Sequence, residues 1–178
     1  GGSLGAGIFA ELIPLAISAL PNKIRKSLIV TQQVRKEQLS ELKNTYSKMS
    51  VKHYCSSFFT EMPHQMAKAD IIISRAGAAS IAEIAAIGRA AVIIPFSGSL
   101  DQHQMYNARS LTSEKAALLL LEEEIKADST ILTKNLLSLI ENPKKCQTLA
   151  TRVRGLAHRN ALNNIIGSIT SYQNLKNG

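Results

Sequence analysis

Short apolar runs alternate with longer amphipathic stretches along most of the chain. The runs are rich in Ile, Val, Leu and Ala, and the stretches between them repeat apolar residues at the three- and four-residue spacing typical of helices. Strands that alternate with helices indicate βαβ units and a parallel sheet. The sequence therefore predicts an α/β fold with a doubly wound parallel sheet. The five predicted strands are Leu28–Thr31, Val51–Cys55, Ile71–Ser74, Ala91–Pro95 and Ala117–Leu121.

Helices are predicted around and after these strands. Five of them cover residues 5–20, 35–48, 62–69, 80–88 and 102–113. Three more close the chain: Asp128 caps one, Pro143 begins the next after Asn142, and the last spans 158–172. Pro14 lies inside the first helix, where it would cost about 3 kcal/mol in a regular helix. We therefore expect that helix to be kinked or shortened.

The size and composition indicate one globular domain without a metal site. The chain has 178 residues, of which 45% are hydrophobic and 19% charged, which is close to the globular average. Cys55 and Cys146 lie far apart and belong to no Cys/His cluster, so neither a zinc site nor a disulfide framework is indicated. The longest apolar runs, such as Ala116–Leu121, are too short to span a bilayer. We predict no metal and no cofactor.

The net charge of +8 raises the question of an anionic partner. The basic residues are scattered, and aromatic residues make up only 4% of the chain, so platforms for base stacking are not expected. We predict no nucleic-acid partner. Two interpretations of the charge remain, a solvated basic surface and a weak attraction to an anionic membrane surface.

A glycine-rich segment, Gly1-Gly2-Ser3-Leu4-Gly5, opens the chain and leads into the first predicted helix. Glycines let backbone N–H groups approach a phosphate closely, and a helix N-terminus favours an anion. A flexible terminus or a tight turn is the alternative. Such a turn normally follows a strand, so we expect a first position in the sheet that is either empty or filled by another segment.

The most informative stretch runs from Ser74 to Arg89, where a predicted strand ends, a turn of small residues follows, and a helix begins. In doubly wound sheets, ligands bind in the crevice beyond the carboxyl ends of the strands. Ser80 and Glu83 have the spacing of a capping box, which would explain Glu83 without a ligand. Alternatively, Glu83 accepts hydrogen bonds from the ribose hydroxyls of a nucleotide. Arg75 either neutralises phosphate or pairs with an acid.

A second polar segment follows Pro95, again at the carboxyl end of a strand. Asp101, Gln104 and Asn107 recur at three-residue spacing and would share one helix face, where they could bind sugar hydroxyls. The alternative is an N-cap at Asp101 on a helix with a polar outer face. His103 is an isolated histidine, for which a catalytic role is not favoured.

Taken together, these motifs resemble the C-terminal half of the MurG-type peptidoglycan N-acetylglucosaminyltransferases. They are Gly-Gly-Ser-x-Gly-Ala, Ser-Arg-Ala-Gly-Ala-x-Ser-Ile-Ala-Glu-Ile, and Pro-Phe followed by Asp-Gln-His-Gln-x-x-Asn-Ala, in the same order and at similar spacing. The resemblance implies a Rossmann-like domain, one half of a GT-B glycosyltransferase, that covers residues 1–178. It also implies a UDP-N-acetylglucosamine site formed by Ser3, Phe59, Ala78, Ala79, Ser80, Ile81, Ala82, Glu83 and Gln104, with Gly2, Arg75, Gly77, His103 and Asn107 as further candidates.

Within that site, the family implies a role for several positions. Ser3 would contact the diphosphate, Phe59 would lie against the uracil, and Glu83 would bind the ribose. Gln104, with His103 beside it, would approach the N-acetylglucosamine hydroxyls. Phe59 stands where relatives often have a smaller aliphatic residue.

The reaction implied by the family is an inverting transfer of N-acetylglucosamine to a lipid-linked muramoyl pentapeptide at the cytoplasmic face of the bacterial inner membrane. The acceptor site and the general base would belong to an N-terminal domain absent from this chain, so no catalytic residue is assigned here. Two main alternatives remain open: a stand-alone donor subunit of a two-component glycosyltransferase, and a non-catalytic module that binds nucleotide sugars. A sugar-nucleotide epimerase, which has a related fold, is a third and less favoured alternative.

Overall fold

The structure, a computed structural model, describes residues 6–96 and 102–157. It has the predicted α/β class, with five short parallel strands and helices around them. The strands are β1 (Ile29–Gln33), β2 (Lys52–Ser56), β3 (Ile71–Ser74), β4 (Ala90–Ile93) and β5 (Leu118–Leu119). The helices are α1 (Phe9–Ser18), α2 (Asn22–Ser27), α3 (Leu39–Lys48), α4 (Met62–Lys68), α5 (Ala78–Ile87), α6 (Gln102–Ser113), α7 (Glu122–Ala127), α8 (Thr130–Ile140) and α9 (143–157). A 3-10 turn at Lys36–Gln38 precedes α3.

All strand pairs are parallel, as predicted, but the described strands form two sheets. One sheet contains β1 and β2, and the other has the order β3-β4-β5. Among the described residues no strand pairing joins the two sheets. The opening glycines lie outside the described residues, so the prediction of a further sheet position beside them stays a prediction.

The sheet of β3, β4 and β5 is covered on both faces. Every residue of β4 is buried, and successive residues of a strand point to opposite faces. Ala90 and Val92 belong to one apolar cluster with residues of α1, α3 and α8, whereas Ala91 and Ile93 belong to a second with residues of α5, α6 and α9. This arrangement confirms the doubly wound character predicted from the continuous apolar run.

The sheet of β1 and β2 differs, because its burial alternates along each strand. Gln32 and Cys55 are buried beneath α1 and α3, whereas Ile29 and Tyr54 are exposed on the other face. The two sheets therefore match the two patterns expected for strands, a continuous apolar run and an alternating one.

The structure shifts several predicted boundaries. α1 spans Phe9–Ser18 rather than residues 5–20 and continues through Pro14, so the helix is shortened at its two ends and does not end at the proline. α5 begins at Ala78 rather than Ser80, and β5 contains only Leu118–Leu119. α6 and β3 have the predicted bounds. The short helices α2 and α7 were not predicted, because six residues contain too few turns to show a helical period.

The closing helices follow the predicted signals in part. α8 begins at Thr130, so its N-cap residue is Ser129 and not the predicted Asp128, although Asp128 Oδ1 accepts a hydrogen bond from the Thr130 backbone N–H at 2.9 Å. Asn142 Oδ1 accepts the Lys145 N–H at 3.0 Å, and Pro143 is the first residue of α9. The predicted helix 158–172 lies outside the described residues. No helix in the described ranges is long and apolar enough to cross a membrane.

Candidate functional site

The N-terminus of α5 lies directly beyond the carboxyl end of β3, where the sequence predicts a ligand. Gly77 is the N-cap residue, and Ala78, Ala79, Ala82 and Glu83 are exposed. Ser80 and Ile81 are half-buried. The Glu83 side chain therefore faces solvent in the second turn of the helix, exposed as a ribose-binding acid would have to be.

The capping-box interpretation of Ser80 and Glu83 is wrong. A capping box needs the serine at the N-cap position, and the N-cap is Gly77, which makes Ser80 the third helical residue. Among the described residues no side chain caps this helix by a hydrogen bond. Since the first N–H groups of a helix lack partners within it, the start of α5 presents backbone donors that can bind an anion.

Arg75, between β3 and α5, is buried and makes its contacts inside the protein. Its Nη1 donates to the backbone oxygens of Ile94, at 3.2 Å, and Pro95, at 2.8 Å. Its Nη2 lies 2.6 Å from Oε2 of Glu122, the first residue of α7. Of the two sequence interpretations, phosphate ligand or partner of an acid, the structure supports the second.

Glu122 is buried between two cations. Its Oε1 accepts a hydrogen bond from Lys126 Nζ at 2.6 Å, and its Oε2 pairs with Arg75. Burial by itself raises the pKa of this carboxyl, but the hydrogen bonds and charges of Lys126 and Arg75 outweigh it, and the net pKa is lowered. Glu122 is therefore a permanent counter-charge for Arg75 at neutral pH.

The first turns of α6 contact the ends of both neighbouring strands. Gln104 Oε1 accepts a hydrogen bond from the Phe96 backbone N–H at 3.1 Å, and Asn107 Nδ2 donates to the Ala76 backbone oxygen at 3.1 Å. His103 is exposed. Gln104 and Asn107 thus have structural partners, while His103 faces solvent at the same edge; Asp101 lies outside the described residues.

The start of α1 lies close to this edge. The Phe9 ring centre is 5.0 Å from the guanidinium carbon of Arg75, and Arg75 is three residues before the first residue of α5. The first residue of α1 therefore contacts, through its side chain, the side chain of a residue in the segment between β3 and α5. Gly2 and Ser3 lie outside the described residues.

Sequence reasoning missed Arg35 and Gln38, which lie beside the start of α1. Gln38 Nε2 donates to the Gly7 backbone oxygen at 3.2 Å, and a Cβ built on Gly7 would lie 3.4 Å from the Arg35 guanidinium. Arg35 is exposed. Its place just after β1, at the carboxyl edge of a parallel strand, is the signal that could have indicated it.

The loop after β2 presents two aromatic side chains. Phe58 is exposed, and its backbone N–H donates to Ser56 Oγ at 3.3 Å. Phe59, the candidate for the uracil contact, is half-buried. This loop follows the carboxyl end of β2, so it lies at the same edge of the β1–β2 sheet as Arg35, which follows β1.

The described ranges contain no group of three or more His, Cys, Asp or Glu side chains placed to hold a metal ion. Burial raises the pKa of the Cys55 thiol, with a small opposing effect from Lys43, and burial likewise raises that of Cys146. Neither cysteine is therefore an activated nucleophile. The chemistry available at the edge is hydrogen bonding and electrostatics.

Comparison with known families decides the affiliation. The family model of the glycosyltransferase family 28 C-terminal domain matches residues 1–165. The chain belongs to this family. The resemblance to the C-terminal half of the MurG-type enzymes is thereby confirmed, and the chain is a family 28 domain.

Individual relatives agree with the family. The chain is 35% identical over 161 residues to the UDP-N-acetylglucosamine--N-acetylmuramyl-(pentapeptide) pyrophosphoryl-undecaprenol N-acetylglucosamine transferase of Bradyrhizobium diazoefficiens, covering 90% of this chain and 43% of that protein. It is 41% identical over 145 residues to the protein of the same name from Rickettsia akari, covering 81% of this chain and 37% of that protein. The chain thus spans less than half the length of these relatives.

The fold agrees with a solved structure as well. The crystal structure of Acinetobacter baumannii MurG superposes on this family 28 domain with a TM-score of 0.74 at 28% sequence identity. The match covers 87% of this chain and 43% of that one. The arrangement of helices and parallel strands described above is therefore similar to that of one part of this enzyme.

Proposed function

We propose that this chain is the donor-binding half of a glycosyltransferase that moves N-acetylglucosamine from UDP-N-acetylglucosamine to an undecaprenyl-diphospho-muramoyl pentapeptide. The observation that carries the proposal is the N-terminal half of α5, which begins beyond the carboxyl end of β3 with backbone N–H groups that no side chain caps and carries the exposed Glu83 in its second turn. The relatives' names supply the donor and the acceptor.

In this proposal the donor lies along the carboxyl edge of the strands. The diphosphate binds the first turn of α5, at Ala78, Ala79 and Ser80, because the helix dipole and free N–H groups favour an anion there. Gly77 is the N-cap residue of that helix, and Ile81 and Ala82 follow directly after these residues in the helix. Ser3 and Gly2 would bind the diphosphate from the start of α1, where Arg35 adds a positive charge.

The nucleoside and the sugar bind on either side of the diphosphate. Glu83 accepts hydrogen bonds from the two ribose hydroxyls, and the backbone near Phe59 contacts the uracil. Gln104 and His103, with Asn107 behind them, face the N-acetylglucosamine. In this assignment the ribose, the uracil and the sugar each bind a different part of the domain: α5, the loop after β2, and α6.

The reaction is an inverting displacement at the anomeric carbon. A hydroxyl oxygen of the acceptor bonds to that carbon, the bond to the diphosphate oxygen breaks, and UDP leaves with the electron pair. Negative charge grows on the departing diphosphate, and the N-terminus of α5 stabilises it. The proton of the hydroxyl goes to a base within hydrogen-bond reach, which we assign to an acceptor domain outside this chain. The chain alone is therefore expected to bind donor without transferring sugar.

Calorimetric titration of the chain with UDP and 2′-deoxy-UDP tests the role of Glu83. Because Glu83 would bind both ribose hydroxyls, the unsubstituted chain should bind UDP about tenfold more tightly, the effect of one charge-assisted hydrogen bond. Glu83→Ala should remove that preference. Glu41→Ala is the matched control, since Glu41 is likewise an exposed acid on a helix, in the first turn of α3.

The same titrations can reject the proposal. If the chain binds neither UDP nor UDP-N-acetylglucosamine, the donor site is refuted. If it binds UDP but Glu83→Ala keeps the preference, the site stands and the ribose assignment fails. Sugar transfer by the chain alone would refute the division of labour between two domains, and transfer that needs a separate polypeptide would favour the two-component alternative.

The acceptor is lipid-linked, so the complete enzyme is proposed to act at the cytoplasmic face of the bacterial inner membrane. For this chain we propose only a weak electrostatic attraction to anionic lipid, which its net charge of +8 favours.

A further inference from the structure

We propose that Arg75 is a positioning residue for the sugar end of the donor and does not bind the diphosphate. Its guanidinium holds the chain that follows β4 and, through it, the first turn of α6. The inference rests on the proposed function and adds a residue that determines the preference for UDP-N-acetylglucosamine over UDP. We call the group around the guanidinium the Arg75 network: Arg75, Glu122, Ile94, Pro95, Phe9 and Phe96.

Both terminal nitrogens of the guanidinium contact protein atoms. Nη1 donates to two consecutive backbone oxygens, those of Ile94 and Pro95, and Nη2 pairs with Glu122. Ile94 and Pro95 directly follow β4, and Glu122 begins α7 after β5. One side chain from the end of β3 thus joins the ends of all three strands of this sheet.

Aromatic rings lie near the same guanidinium. The Phe9 ring centre is 5.0 Å from its carbon and the Phe96 ring centre is 5.4 Å away, both within the range of a cation–π contact. Arg75 is only 9% exposed. A phosphate could reach this group only by displacing protein contacts, so the guanidinium is placed to fix the surrounding chain.

The network continues into the residues proposed to bind the sugar. The Phe96 backbone N–H donates to Gln104 Oε1 in the first turn of α6. A second bond, from Asn107 to the Ala76 oxygen, joins α6 to the residue after Arg75. A shift of the guanidinium would therefore move Phe96 and Gln104, while the start of α5, proposed for the diphosphate and ribose, retains its own helical hydrogen bonds.

Glu122 fixes the guanidinium from the opposite side. It is 5% exposed, lies in the first turn of α7, and is held by Lys126 one turn later. A lysine at position 75 would keep the charge but could not reach two carbonyl oxygens, a carboxylate and the rings at once, because an ammonium is a compact point charge. Arg75→Lys therefore keeps the positive charge but removes the specific contacts of the guanidinium, so its effect reports on those contacts.

The test compares UDP and UDP-N-acetylglucosamine binding to the full chain. Arg75→Lys should lower the affinity for UDP-N-acetylglucosamine about tenfold, which is the loss expected when one or two hydrogen bonds to the sugar are misplaced. The affinity for UDP should change by less than about twofold. The matched control is Arg89→Lys. Arg89 also donates to a backbone oxygen, that of Ala67 at 2.6 Å, but it follows the C-terminus of α5. This control should leave both affinities unchanged.

If Arg75→Lys lowers the affinities for UDP and for UDP-N-acetylglucosamine equally, Arg75 acts on the diphosphate and the proposal is overturned. The proposal is also overturned if the substitution changes neither affinity. If Arg75→Lys does not fold, Glu122→Gln is tested in its place. A selective loss of affinity for UDP-N-acetylglucosamine supports the Arg75 network, and an unchanged preference between the two ligands refutes it.

If the unsubstituted chain binds neither ligand, the proposed function fails, and amide hydrogen exchange tests the Arg75 network instead. The backbone N–H of Phe96 should then exchange faster in Arg75→Lys and at an unchanged rate in Arg89→Lys. Equal exchange rates in the two variants would refute the Arg75 network.

Discussion

Gly88 ends α5 in a left-handed conformation, with a φ of 69°. Its backbone N–H closes the helix by donating to the Ile84 oxygen at 2.9 Å. A Cβ at this position would lie 2.7 Å from Arg154 Nε and 3.0 Å from Arg154 Cβ. Arg154 cannot swing away freely, since its Cβ is fixed by the backbone of α9 and its Nη2 donates to the Ile87 oxygen. Both conformation and space therefore require glycine here.

Gly88→Ala should lower the free energy of unfolding by about 2 kcal/mol, because a left-handed alanine costs roughly 1–2 kcal/mol before any crowding. Gly155→Ala is the control: Gly155 lies in α9, and a Cβ there would meet nothing within 4 Å. It should raise stability by about 0.5–1 kcal/mol, the usual gain of alanine over glycine in a helix. Urea unfolding of both variants measures the difference. A neutral Gly88→Ala would contradict the backbone conformation described.

At the scale of elements, a buried polar chain joins α3, β1 and α1. The Tyr46 hydroxyl donates to Gln32 Oε1 at 2.6 Å, and Gln32 Nε2 donates to the Phe9 backbone oxygen at 2.9 Å. Burial raises the pKa of Tyr46, with a smaller contribution from Cys55, so its hydroxyl remains a donor at neutral pH. Gln32 therefore aligns the start of α1 with β1, close to the proposed diphosphate position.

Tyr46→Phe should destabilise the chain by about 1–3 kcal/mol, because it leaves the buried Gln32 Oε1 without its donor. Tyr106→Phe is the matched control: it removes the same hydroxyl from a side chain that is 77% exposed, so it should be neutral within about 0.5 kcal/mol. Chemical unfolding of the two variants gives the comparison. Equal stability in both would mean that water replaces the hydroxyl at Gln32.

Elements with a full period were predictable from the sequence, and contacts between distant residues were not. α6 has enough turns to show its pattern, and β3 is a continuous apolar run, so both bounds were correct. The capping-box reading of Ser80 and Glu83 failed because spacing does not say which residue is the N-cap. The partner of Arg75 lies 47 positions away, at Glu122, and no local pattern connects the two. The candidate edge was predictable because the carboxyl ends of parallel strands lie at one edge of a sheet. The sequence did not predict which side chains at that edge are exposed and which have partners inside the protein.

At the scale of the molecule, positive charge is spread over several elements. Lys23 and Lys26 are exposed on α2, and Lys144 and Arg152 are exposed on α9. Some basic side chains hold backbone: Arg25 donates to the Ser18 oxygen at 2.7 Å and Arg152 to the Lys115 oxygen at 3.3 Å. The charge therefore serves partly to fix helix ends, and its long-range effect is a diffuse positive field rather than one focused site.

A diffuse field predicts weak binding to anionic vesicles that depends on ionic strength. Binding to phosphatidylglycerol-containing vesicles should be detectable by sedimentation at about 0.01 M salt, where the Debye length is about 30 Å, and nearly lost at about 0.15 M, where it is about 8 Å. The chain should not bind vesicles of phosphatidylcholine alone.

Two double variants test whether the charge acts from one place. Each lowers the net charge by two: one combines Lys23→Gln with Lys26→Gln, and the other combines Lys144→Gln with Arg152→Gln. Because each basic residue near the surface contributes about 1 kcal/mol, both pairs should weaken binding to a similar extent. Abolition of binding by one pair alone, or binding that persists at high salt, would contradict a diffuse field and indicate a discrete lipid site instead.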